Sequence, residues 1–95
     1  MIDFFKPGFP VSEAMDNGVE RIAGRYKDTV LIGKVDCMTD TWVQYQFDIL
    51  GFPTFLFLNG GKEARRLVKV RADESPEMME DSLVFIIDSL LSGAR

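Results

Sequence analysis

Apolar and polar positions alternate along this chain in blocks that change period, and each block predicts an element. Ile2–Phe5 is a short, mostly apolar run closed by Lys6-Pro7-Gly8, the pattern of a buried strand. From Ser12 to Tyr26 the spacing turns helical, with Met15, Val19, Ile22, Ala23 and Tyr26 on one face. Asp16-Asn17-Gly18 weakens that helix, since Asn and Gly disfavour a helix interior, and a kink is expected there. Thr29–Asp36 is rich in β-branched residues and predicts a second strand. A short helix over about Thr39–Phe47, capped by Thr39 or Asp40, precedes the break Gly51-Phe52-Pro53. Thr54–Leu58 predicts the third strand. Asn59-Gly60-Gly61 then signals a tight hairpin, because a type I′ turn needs positive φ at both central residues. The fourth strand, about Ala64–Val70, must run antiparallel to the third. Ser75-Pro76-Glu77 opens a last helix with an N-cap, a first-turn proline and an acid at the positive dipole end. Met79, Leu83, Ile86, Ile87, Leu90 and Leu91 form its apolar face, and Gly93 ends it.

The order β-α-β-α-β-β-α predicts an α/β fold. Its first two strands are parallel through a right-handed crossover, and the hairpin completes a mixed four-stranded sheet flanked by helices. The chain has 95 residues, 46% apolar and 27% charged, which suits one globular domain and is too apolar for disorder. No apolar run is long enough to cross a bilayer, so no membrane role is expected. Met1–Pro10 lacks the basic and long apolar regions of an export signal.

The net charge of −4 argues against nucleic acid as a partner. The basic cluster Lys62, Arg65, Arg66, Lys69 and Arg71 is followed at once by Asp73, Glu74 and Glu77, so it reads as a solvated, mixed-charge surface. Histidine is absent, which removes the commonest general base and metal ligand. Cys37 is the single cysteine, so neither an internal disulfide nor a cysteine-rich zinc site can form. No metal and no cofactor are expected.

This order of elements resembles the core of the thioredoxin fold, and particular segments carry the resemblance. Ile2-Asp3-Phe4-Phe5 resembles the strand before that family's active site, and Gly51-Phe52-Pro53-Thr54 the loop that holds its cis-proline. Gly33-Lys34-Val35-Asp36-Cys37 is similar to a strand end of protein disulfide isomerase domains. The spacing from Cys37 to Thr54 matches those domains without a gap, and Asn59-Gly60 falls where their hairpin turns. The resemblance covers nearly the whole chain. It implies one thioredoxin-like domain over residues 1–95 that lacks the family's N-terminal strand and helix, leaving Thr29–Asp36 at the sheet edge. Counted without gaps from Asp3, the family's two active-site cysteines fall on Phe9 and Ser12, within Phe9-Pro10-Val11-Ser12. Dithiol exchange needs an attacking thiolate and a resolving thiol, and neither residue supplies one.

What the resemblance implies for the site follows residue by residue. Pro53 should be cis. Phe9, Pro10, Phe52 and Pro53 should converge into an apolar patch for a peptide or partner protein, unless Phe9 folds inward to fill the space of the lost sulfurs. Asp3 and Lys34 match a carboxylate and a lysine that thioredoxins hold beneath the dithiol. Here they are expected as a leftover buried pair, with Ser12 hydrogen-bonded to Asp3. Cys37 reads as a small core residue, because a reactive monothiol would need exposure and a lowered pKa, which Asp36 and Asp40 oppose. Trp42, Tyr45 and Phe47 read as ordinary packing.

The function expected is that of a redox-inactive domain binding protein or extended peptide, as in non-catalytic disulfide isomerase domains. One alternative is a structural subunit docking a partner strand on the edge Thr29–Asp36. The other is a monothiol or glutathione-linked enzyme using Cys37 or Ser12. A disulfide isomerase-like parent would place the chain in the endoplasmic reticulum, whereas a lone thiol fits the cytoplasm equally well.

Overall fold

The computed structural model describes residues 1–68 and 75–93. Strands β1 (Ile2–Phe5), β2 (Gly33–Asp36), β3 (Thr54–Asn59) and β4 (Lys62–Val68) form one sheet in the order β2-β1-β3-β4. Helices α1 (Pro10–Ala14) and α2 (Asp16–Arg25) connect β1 to β2, α3 (Thr41–Gln46) precedes β3, and α4 (Pro76–Leu91) follows β4. β1 pairs parallel with β2 and antiparallel with β3, and β3 pairs antiparallel with β4. The expected α/β fold with a mixed four-stranded sheet is therefore present.

Each face of the sheet has its own core. On one, Met15, Val19 and Ile22 of the first helical segment meet Phe55 and Phe57 of β3 and Met79, Leu83, Ile86 and Ile87 of α4. On the other, Phe4, Cys37, Ile49 and Leu56 are covered by Val43 of α3 and by Phe47, its C-cap residue. β3 contributes to both, while β1 contributes Phe4 to the second. Two polar ties join α2 to α4: Arg21 Nε donates to Glu80 at 2.9 Å, and Tyr26 Oη donates to Asp88 Oδ1 at 2.6 Å.

Four local differences from the sequence pattern have physical causes. The first helix is interrupted at Met15, one position before the expected weak triplet. The hydrogen bonds run through the distortion, from Met15 N–H to the Val11 carbonyl and from Val19 N–H to that of Met15. Met15 itself is buried in the core. Gly18 serves another purpose, since a Cβ there would lie 2.9 Å from Glu80 Oε1, so glycine lets α4's side chain approach α2. Thr29–Ile32 is not strand. The N–H groups of Thr29 and Val30 both donate to the Tyr26 carbonyl and finish the α2 turn, and β1 offers only four residues for Gly33–Asp36 to pair with.

Asp40 is the N-cap residue of α3, as expected, but its side chain makes no capping bond; the turn before it is held by Asp36, whose carboxylate accepts the N–H groups of Met38 and Thr39 at 2.8 and 3.2 Å. β4 starts at Lys62, two residues early, because Gly60 and Gly61 alone make the turn with φ of 63° and 80°. Its expected end at Val70 lies outside the described residues.

Candidate functional site

Two loops bring the candidate residues together. The first runs from β1 to α1. Gly8 takes a φ of 92°, which only glycine adopts freely, and turns the chain so that Phe9 lands at the N-cap of α1 with Pro10 behind it. Gly8 N–H donates to Glu13 Oε1 at 3.2 Å and fixes the turn. The second loop precedes β3, where the Phe52–Pro53 bond is cis, as expected. Thr54 Oγ1 donates to the Gly51 carbonyl at 2.6 Å and closes it.

The rings of Phe9 and Phe52 meet edge to face, with centroids 5.4 Å apart at 68°. Phe9 stays 43% exposed, so it does not fold inward to fill the core. Pro10 is exposed beside it, Phe52 is half-buried and Pro53 is buried. Lys6 completes the cluster. Its Nζ stands 5.5 Å from the Phe9 centroid and 5.6 Å from that of Phe52, within cation–π range of both. Lys6 was not among the sequence candidates, although its place just before the Pro7-Gly8 turn puts it at the mouth of the same loop.

Beneath this cluster the polar arrangement differs from expectation. Ser12 is buried and its Oγ accepts the Lys6 N–H at 3.3 Å, rather than bonding Asp3. Asp3 is buried on β1, and its Oδ1 has no hydrogen-bond partner among the described residues. Burial pushes its carboxyl up to about 6; nearby Lys34 opposes that rise and Asp16 adds to it. The buried pair of Asp3 and Lys34 does not form. Lys34 lies on the edge strand, exposed, with Nζ 3.3 Å from Asp16 Oδ1 and 5.0 Å from the Phe5 ring. A lysine at that edge keeps its ammonium in water instead of following the carboxylate inward.

Cys37 is fully buried in the second core, and burial pushes its thiol up, with Asp36 and Asp40 adding to the shift. That is the opposite of what thiolate chemistry requires. At the C-cap of α3, Phe47 packs as expected, 5.5 Å from the Phe4 ring. Trp42 and Tyr45 do not: they are 72% and 71% exposed. The signal was in the sequence, because Val43 and Phe47, four apart, take the inner face and leave positions 42 and 45 outside.

The sheet order, with a parallel pair at one edge beside an antiparallel hairpin, and the cis-proline loop facing a helix N-terminus define a thioredoxin-like protein. The sequence model of the thioredoxin family matches residues 1–83, and the chain belongs to that family. Among solved structures, it is similar to the germline-specific thioredoxin Deadhead of Drosophila melanogaster. The TM-score is 0.78 at 18% identity, covering 94% of this chain and 77% of that one. The thioredoxin of Fasciola hepatica superposes with a TM-score of 0.72 at 21% identity, over 90% of this chain and 75% of the other. That of Trypanosoma brucei brucei gives 0.71 at 24% identity, over 92% and 73%.

Proposed function

We propose that this chain is a redox-inactive member of its family that binds protein or extended peptide through Phe9, Pro10, Phe52 and Pro53, in the manner of non-catalytic disulfide isomerase domains. The observation that carries this reading is the edge-to-face contact of Phe9 with Phe52 beside the cis Pro53, with Phe9 still 43% exposed. Aromatic rings held rigid at a loop junction give a partner contact area at little cost in conformational entropy. The chemistry of exchange has no residue to run on there: no thiol stands at position 9 or 12, and Ser12's buried hydroxyl has no histidine to activate it.

The test is titration of a permanently unfolded, carboxymethylated client polypeptide against the parent and the Phe9→Ala/Phe52→Ala variant. Binding that weakens by about tenfold or more in the variant supports the site, as removal of a central aromatic anchor should. Equal binding by both proteins refutes it. Insulin reduction is read separately, and turnover above background would refute the redox-inactive part alone.

A second reading is favoured by one observation. Among the described residues β2 has a strand neighbour only on its β1 side, and Leu31, just before it, is 91% exposed beside an apolar groove of about 480 Å³. A strand of another chain added at this edge would make the protein a structural subunit.

A further inference from the structure

Helix α3 turns two aromatic rings to solvent, and nothing in the described chain covers them. Its inner face is fixed by Val43 and Phe47, which pack on the core of Phe4, Cys37, Ile49 and Leu56. Trp42 and Tyr45, three residues apart, share the opposite face. Met38 in the preceding turn is 52% exposed, and Leu50 in the following one 93%. Scattered apolar residues at a surface need no explanation, but a concentration of them on one short segment marks an interaction site.

The charge carried by this segment itself is of one sign. From Lys34 to Lys62 the sequence has no basic residue between, while Asp36, Asp40 and Asp48 fall inside the interval. Hydrogen bonds from the Met38 and Thr39 N–H groups hold the Asp36 carboxyl below its ordinary range, so it is ionised at neutral pH. Asp40 and Asp48 are exposed and form no ion pair among the described residues. Two bases from elsewhere come near the segment: Lys6, whose charge acts on Cys37 at its inner side, and Arg66, which donates to the Phe47 and Asp48 carbonyls after the helix and whose charge is matched by Glu63 at 3.0 Å.

We propose that the outer face of α3 is a second interaction surface, separate from the Phe9–Phe52 cluster, and that its occupant is a cationic segment of a partner protein carrying Arg or Lys between apolar side chains. The indole and phenol rings attract a guanidinium or ammonium through their electron-rich faces. The three carboxylates steer such a segment inward and repel an acidic one. Met38 and Leu50 give its apolar side chains somewhere to rest.

Trp42 is the chain's one tryptophan, so its emission reports on this face directly. The whole chain is titrated with a synthetic peptide of alternating Arg and Leu, and with a counterpart in which Glu replaces Arg. The expected result is a saturable shift of Trp42 emission with the Arg peptide only. The affinity should fall about tenfold in the Tyr45→Ala/Asp40→Asn/Asp48→Asn variant and weaken with added salt. Phe85→Ser, at a 69% exposed position on α4 across the sheet, should bind like the parent. All substituted positions are exposed, and circular dichroism checks that the fold is kept. The proposal is overturned if the Arg peptide gives no saturable shift, if the Glu peptide matches it, or if the triple variant binds unchanged. An emission shift on concentrating the protein alone would also overturn it, by assigning the face to a second copy.

Discussion

Asp3 is 2% exposed on an inner strand of the sheet, and its Oδ1 lacks a donor among the described residues, so its ionised form is held in the folded protein at a cost. Burial pushes its pKa up to about 6, against 3.8 ordinarily. The folded state therefore binds more protons than the unfolded chain between these values, and stability must fall as pH rises through that window. The stabilisation is fully present below about pH 4 and lost above about pH 6. Asp3→Asn should remove this slope, raising stability at pH 7 by about 1–3 kcal/mol and changing little at pH 4. Denaturant melts of both proteins across pH 4–8 check this, and parallel curves would show that Asp3 is not the group responsible. The burial of Asp3 was legible in its place within an apolar strand. The fate of Lys34 was not, because whether a long side chain follows its partner inward or snorkels to water depends on the neighbouring Asp16, which is remote in sequence.

Among the elements, α4 depends most visibly on its first turn. Ser75 Oγ accepts the Met78 N–H at 3.1 Å, and Pro76 and Glu77 follow at positions that need no donor and favour an anion. Ser75→Ala should cost about 1 kcal/mol, lowering the melting temperature by about 4–8 °C, while Ser75→Asp should retain most of the parent's stability. Equal loss in both variants would mean that the hydroxyl's bond to Met78 is not what holds the turn. This cap and the hairpin at Gly60-Gly61 were legible because each rests on chemistry within four residues, whereas the place of β2 at the sheet edge came from the resemblance to the thioredoxin fold. The length of β2 was not: the β-branched run Thr29–Ile32 is claimed by the end of α2, whose Tyr26 carbonyl needs donors more than a short β1 needs a longer neighbour. Nor was the purpose of Gly18, which is settled by Glu80 on another helix. At the candidate site the same division holds. Phe9, Phe52 and the cis Pro53 could be placed from the resemblance to the thioredoxin fold, but Lys6 above both rings appears only in three dimensions.

At the scale of the whole molecule, both faces of the sheet are covered by helices, and among the described residues the outer sides of β2 and β4 have no strand neighbour; of the two, β2 is the edge that runs beside an apolar groove. Gly33 and Cys37 donate inward, to the carbonyls of Met1 and Phe5 at 3.0 and 2.9 Å. In a parallel strand alternate residues face opposite sides, so the N–H groups of Lys34 and Asp36 point away from the sheet, where an added strand would meet them. The apolar groove bounded by Met1, Val30, Leu31, Leu58, Ile87 and Leu90 lies alongside and would bury that strand's flanking side chains. In the absence of another partner the edge can pair with its own copy, and the sedimentation coefficient of the chain should rise with concentration. Leu31→Lys places a charge at the 91% exposed entrance to both edge and groove and should hold the protein monomeric. A side chain so exposed makes little contribution to folding, so the variant's stability should stay within about 0.5 kcal/mol of the parent's. A parent that sediments as a monomer at every concentration would remove the case for the edge. Association that persists in Leu31→Lys would locate the contact elsewhere, and the exposed rings of α3 would be the next surface to substitute.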